Sequence, residues 1–141
     1  MSAEQNKSVV RRWLDELFNK GNLSVNDEML VPNYINHDPN LPEENRNRDG
    51  FKQFVSMVRS AFPDLQFNFE EQIAEEDKVV THFSLSGTNK GEFMGIPPTN
   101  KQSRVTGITI EHLEGGKIKE TWANWDALGM MQQLGVIPPD K

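Results

Sequence analysis

The sequence predicts an α+β fold: a curved antiparallel sheet forming a cone, about three N-terminal helices packed on it, and a short C-terminal helix. Three observations predict this. Apolar residues recur at three- and four-residue spacing through the first part of the chain, as in helices with one buried face. From Leu65 onward the pattern changes to alternation with period two, as in half-buried strands. The stretch Val105 to Leu134, VTGITIEHLEGGKIKETWANWDALGMMQQL, then reads as strand, two-glycine turn, strand and short helix.

Ala3 to Lys20 is the first helix, with Val9, Val10, Trp13, Leu14, Leu17 and Phe18 on one face and Gly21 as its stop. A second, short helix spans Ser24 to Leu30 and ends before Pro32. Tyr34 to His37 reads as a short strand, and DPNLPEENRNRD after it as loop. The third helix runs from Gly50 to Ala61 with Asp49 as N-cap, a stripe of Phe51, Phe54, Val55, Val58 and Phe62, and Pro63 as terminator. In Leu65 to Ile73, Leu65, Phe67, Phe69 and Ile73 alternate with polar residues, giving a strand. Lys78 to Gly87 is the next strand, after a turn at Glu75-Glu76-Asp77. Thr88 to Gln102, with its glycines and prolines, is an irregular connection. Gly115-Gly116 makes the hairpin turn of the last two strands. Asp126 caps the terminal helix, Gly135 ends it, and Pro138-Pro139 closes the fold.

A length of 141 residues fits one domain spanning 1–141. The absence of cysteine excludes disulfides and thiolate metal sites and permits a reducing compartment. The formal charge of −6 argues against a nucleic-acid partner, which wants a basic face. The polar start MSAEQNKSVVRRW has no signal-peptide core, and no run approaches the ~20 apolar residues of a membrane span. A cytoplasmic protein with neither membrane nor nucleic-acid partner is expected. The 3 histidines lie on separate segments in no HxH or HExxH arrangement, so no metal site is expected. A curved sheet closed by helices encloses a hollow, and a partly polar hollow is a pocket for a small molecule.

Five stretches carry a resemblance: YINHDP (Tyr34 to Pro39), AFPDL (Ala61 to Leu65), GEFMGIPPT (Gly91 to Thr99), GKIKETW (Gly116 to Trp122) and QQLG (Gln132 to Gly135). In this order and spacing the chain resembles the SnoaL-like polyketide cyclases of the nuclear transport factor 2-like superfamily. The resemblance implies an α+β cone, intramolecular aldol ring closure, and neither metal nor organic cofactor. It implies that a carboxylate removes a proton alpha to a carbonyl while the extended substrate stabilises the enolate. In the family that aspartate directly follows the tryptophan of the last strand. Here Trp122 is followed by Ala123, which accepts no proton.

The base is therefore sought elsewhere. His37, beside Asn36 and Asp38, is either part of a hydrogen-bonding trio at the pocket mouth or the middle of an Asx-type turn before Pro39. Glu71 interrupts an apolar series, so it either enters the pocket as base or is returned to solvent by a bulge near Glu70-Glu71. His82 shares a strand face with Val80, Ser84 and Ser86, opposite the core face of Val79, Thr81, Phe83 and Leu85. It turns to solvent, to a partner subunit or to a polar pocket. Asn36, His82, Thr109, Thr121, Trp122 and Ala123 are the expected substrate contacts. The family match puts Thr121 and Ala123 on the pocket face, and leaves Glu111 and Glu120 on the other side at a subunit contact. The expected molecule is a homodimeric cone that cyclises an apolar, oxygen-bearing ligand with an altered base. A non-catalytic binding protein and a solidly packed association domain are the competing readings.

Overall fold

The structure, a computed structural model, describes residues 2–138. Its strands are β1 (Leu30–Asn36), β2 (Gln66–Glu75), β3 (Lys78–Thr88), β4 (Gln102–Glu114) and β5 (Lys117–Trp125). They form one curved sheet in the order β1-β5-β4-β3-β2. The pairs β2–β3, β3–β4 and β4–β5 are antiparallel, and β1 joins the edge of β5 in parallel. The helices are α1 (Ala3–Leu14), α2 (Val25–Met29), α3 (Arg48–Ala61) and α4 (Ala127–Gln133). The α+β arrangement expected from the sequence is the one observed. Pro139, expected to help close the fold, lies outside the described residues.

Ser2 opens α1 with a reciprocal cap: its Oγ accepts from the Gln5 backbone N–H at 3.1 Å, and its own N–H donates to Gln5 Oε1 at 2.9 Å. The last part of the expected first helix is a π-helical segment, Asp15–Asn19, in which Leu17 and Phe18 are both buried. The third helix begins two residues earlier than its spacing indicated. Asn47, not Asp49, is its N-cap, accepting from the Gly50 backbone N–H at 2.7 Å, so Asp49 falls inside the first turn. The stripe Phe51, Phe54, Val55 and Val58 is buried as its periodicity requires. Asp126 caps α4, its Oδ1 accepting from Gly129 N–H at 2.9 Å. The β4–β5 turn has Gly115 and Gly116 at φ +58° and +80°, values that a side chain would strain.

Two bulges decide which side chains face inward. In β2 the register shifts between Phe69 and Glu71. Phe69 pairs with Phe83, but Glu71 pairs with His82 and Ile73 with Val80, so Glu71 and Ile73 turn outward. The bulge anticipated near Glu70-Glu71 is present, and Glu71 is exposed. In the hairpin the turn pairs Glu114 with Lys117 and Leu113 with Ile118, but His112 pairs with Glu120, leaving Lys119 as the extra residue. From there Glu111 faces Thr121 and Thr109 faces Ala123.

The core lies between the inner face of the sheet and the helices, with Val10, Leu17, Val25, Leu30, Val55, Val79 and Ile118 fully buried. Burial in β4 alternates strictly from Ser103 to Leu113. Among the described residues, no helix is long and apolar enough to cross a membrane.

Candidate functional site

The inner face of the sheet and the helices over it enclose a cavity of about 870 Å³ of empty space, its mouth included. A hollow of this kind is not the solidly packed interior expected of a pure association domain. Its walls are aromatic. Trp13 of α1, Phe18, Phe51 and Phe54 of α3, Phe67, Phe83 and Phe93 all contribute, with Met130 of α4. Gly107 of β4 lets two of the lining side chains pack close to the strand: a Cβ there would stand 2.5 Å from the Phe83 ring and 2.8 Å from Trp125 Cβ. Such a wall suits a flat, largely apolar ligand.

The polar lining gathers around β4, β5 and the end of β1. Asn36, Asp38, Thr109, Glu111, Thr121, Ala123 and Trp125 belong to it. Asn36 Oδ1 accepts from the Asp38 backbone N–H at 3.0 Å, an Asx turn that swings the Asp38 side chain inward. Asp38 is buried. Its Oδ1 accepts from Asn40 N–H at 2.8 Å and its Oδ2 from the Trp125 indole at 3.1 Å. Burial holds its carboxyl above the usual aspartate value, although both hydrogen bonds and the nearby Arg46 oppose the shift.

Glu111 is 0% exposed. Its Oε1 accepts from the Thr109 hydroxyl at 3.0 Å, while Oε2 has no partner among the described residues. Burial pushes this carboxyl up to about 8, against the Thr109 and Thr121 hydroxyls, which favour the anion. At neutral pH Glu111 is therefore mainly the neutral acid. Tyr34, also buried, donates to Thr121 Oγ1 at 2.7 Å, and its own hydroxyl is held far above the ordinary tyrosine value by burial. No lysine, arginine or histidine lines the cavity among the described residues, and no group of three or more metal-ligating side chains occurs among them.

Of the residues singled out from the sequence, the structure brings Asn36, Thr109, Thr121 and Ala123 together in the cavity wall. It puts His37, Glu71, His82 and Trp122 elsewhere. His37 lies on the outer side, its Nε2 at 2.8 Å from Glu120 Oε2 and its ring stacked on Trp122 at 4.8 Å. The Asx-turn reading of its surroundings describes the local geometry. Glu71 and His82 are cross-strand neighbours on the outer face, and Trp122 is on the outer face of β5 opposite Ile110. The expectation that Glu111 shares a side with Glu120 is overturned. Counting outward from the turn pairs them, but Glu111 shares the inner face of β4 with Thr109 and Leu113, and the Lys119 bulge brings Thr121 rather than Glu120 opposite it.

Asp38 and Glu111 are thus the acidic groups of the site. The first was visible beside His37, and its alternation with Tyr34 and Asn36 was the available signal. For the second the signal was the alternation of Thr109, Glu111 and Leu113 within β4, which was outweighed by a regular hairpin pairing Glu111 with Glu120; the bulge that breaks that pairing has no clear mark in GGKIKE.

Comparison with known proteins fits this geometry. The chain is 29% identical over 125 residues to nogalonic acid methyl ester cyclase of Streptomyces nogalater, covering 87% of this chain and 92% of that protein. It is 29% identical over 135 residues to aklanonic acid methyl ester cyclase DnrD of Streptomyces peucetius, covering 90% and 88%. The structure of TsrD from Streptomyces laurentii superposes with a TM-score of 0.85 at 27% identity, covering 97% of this chain and 99% of that one. Residues 8–134 match the SnoaL-like polyketide cyclase family, and the chain belongs to it.

Proposed function

We propose that this chain closes a ring in an esterified aromatic polyketide by intramolecular aldol condensation, with Asp38 as the base. The observation that carries this reading is an aromatic-walled cavity whose polar end holds two buried carboxyls beside Ala123, the position where the family's aspartate is missing. The Asp38 carboxylate takes a proton from carbon alpha to a carbonyl. The enolate attacks a second carbonyl carbon of the same molecule, forming one C–C bond, and the resulting alkoxide takes a proton back from Asp38. A carboxyl raised by burial is a stronger base once ionised than an exposed one. The base role expected for His37 or Glu71 passes to Asp38, since neither of the others lines the cavity.

Asn36, Thr109, Thr121 and Ala123 form the wall against which the substrate's oxygens rest. A neutral, esterified substrate is favoured because a free carboxylate would enter a lining with two acids and no cation among the described residues. The two ester cyclases among the relatives support the same class. The working unit in this reading is a cytoplasmic homodimer. Its support is the apolar row Ile73, Val80, Ile110 and Trp122, cross-strand neighbours on the outer face, with Ile73 58% and Ile110 36% exposed.

The test is turnover of nogalonic acid methyl ester by the wild-type chain and by Asp38→Asn. The expected result is a fall in kcat of about 10²–10⁴-fold with ligand binding retained. Binding without turnover by the wild-type chain would make it a ligand carrier instead. Equal turnover by both proteins would remove Asp38 from the mechanism.

A further inference from the structure

We propose that Glu111 is the group that grips the ligand's carbonyl: as a neutral acid, it donates a hydrogen bond from its unpartnered Oε2 to a ketone oxygen in the cavity. This rests on the cavity being the ligand site, and it does not depend on which group is the base. The geometry carries it. Glu111 lines the cavity, is fully buried, and has one carboxyl oxygen satisfied by the Thr109 hydroxyl and one with no partner among the described residues. A buried polar atom without a partner is rare, because its desolvation goes uncompensated. A ligand oxygen supplies the missing partner.

The two oxygens have different roles. Oε1 accepts from the Thr109 hydroxyl, and the Thr121 hydroxyl, opposite in the ladder, favours the anion but is not in hydrogen-bond contact with Oε2, so the acid's proton is assigned to Oε2. The other ionisable groups packed at this end are Tyr34 of β1 and Asp38 beyond it. Tyr34 is committed as donor to Thr121, and Asp38 accepts from Asn40 and Trp125. Neither competes as donor to a ligand. The elevation of Glu111 to about 8 keeps the donor proton in place at neutral pH. In ring closure the same donor would face oxygen as it gains negative charge, where a preorganised hydrogen bond is strongest. The two carboxyls then divide the work, Asp38 accepting a proton and Glu111 lending one.

The experiment uses 1-tetralone and tetralin, a flat aryl ketone and the same skeleton without the oxygen. Neither can cyclise, so the outcome is independent of the aldol reading. Dissociation constants are measured for the wild-type chain, Glu111→Leu and Glu111→Gln. The wild-type chain should prefer 1-tetralone by about tenfold. Glu111→Leu should erase the preference while still binding tetralin, and Glu111→Gln, whose amide still donates, should keep most of it. The infrared carbonyl stretch of bound 1-tetralone should lie lower in the wild-type protein than in Glu111→Leu. The wild-type preference should fade as pH rises through about 8, and the Glu111→Gln preference should not. A preference that survives Glu111→Leu, or its absence in the wild-type protein, overturns the proposal. Binding of neither compound overturns the cavity reading together with it.

Discussion

Ala123 stands where the family resemblance implies an aspartate, and its surroundings bear on the proposed chemistry. It lines the cavity, faces Thr109 across the hairpin, and sits two residues before Trp125, whose indole donates to Asp38. A carboxylate introduced by Ala123→Asp would face the cavity that Asp38 also lines. In an Asp38→Asn background, Ala123→Asp should recover at least about tenfold of the lost turnover of nogalonic acid methyl ester. Absence of recovery, in a double variant that still binds the ester, would mean that the wall around Ala123 no longer presents the substrate's acidic carbon.

Among the elements, α3 contributes Phe51, Phe54 and Val58 to the cavity wall. Its start is fixed by the Asn47 side chain on the Gly50 N–H. Asn47→Ala should lower the unfolding free energy by about 1 kcal/mol, and Asp49→Ala by less, as measured by urea denaturation. The reverse order would return the cap to Asp49, where the spacing first put it. The bulges show how far strand patterns can be read. The β2 bulge was legible because Glu71 in an apolar series demands an explanation. The β5 bulge was not, because Lys119 is polar in either register and nothing local disfavours a regular hairpin. Its effect is nonlocal: one extra residue exchanges the faces of everything beyond it relative to β4.

For the whole molecule, two properties follow from where polar and apolar groups end up. Glu111 holds its proton in the folded chain up to about 8, whereas its ordinary value is 4.5. Between these values the folded state binds more protons than the unfolded one, so stability falls as pH rises and levels off above the folded value. Asp38, raised from 3.8, acts with the same sign. Asp64, held low by Thr88, acts oppositely at more acid pH, but it is exposed and contributes little. Thermal midpoints should therefore fall from about pH 5 to about pH 8.5 in the wild-type chain. In Glu111→Gln most of that fall should disappear, a difference of about 2–4 kcal/mol at the alkaline end. Parallel curves would show that Glu111 is ionised in the fold. If the outer face is the subunit contact, as proposed, the wild-type chain should sediment as a dimer and Ile110→Lys as a monomer, with binding of 1-tetralone retained in both. An unchanged mass of two chains would move the subunit contact to another surface.

The elements and their class could be read from the residues alone: helical stripes, alternating strands, the Gly115-Gly116 turn, the Asp126 cap, and the stretches that mark the family. These are local properties, set by side-chain period and backbone preference within a few residues. The residue after Trp122, where the resemblance implies an aspartate, is Ala123. Which acids line the cavity was settled by packing, because that depends on strand register and on the turn after β1. The Lys119 bulge brings Glu111 opposite Thr121, and the Asx turn at Asn36 swings Asp38 inward beside Trp125. Register is fixed by the packing of both faces at once, which no single strand's pattern contains.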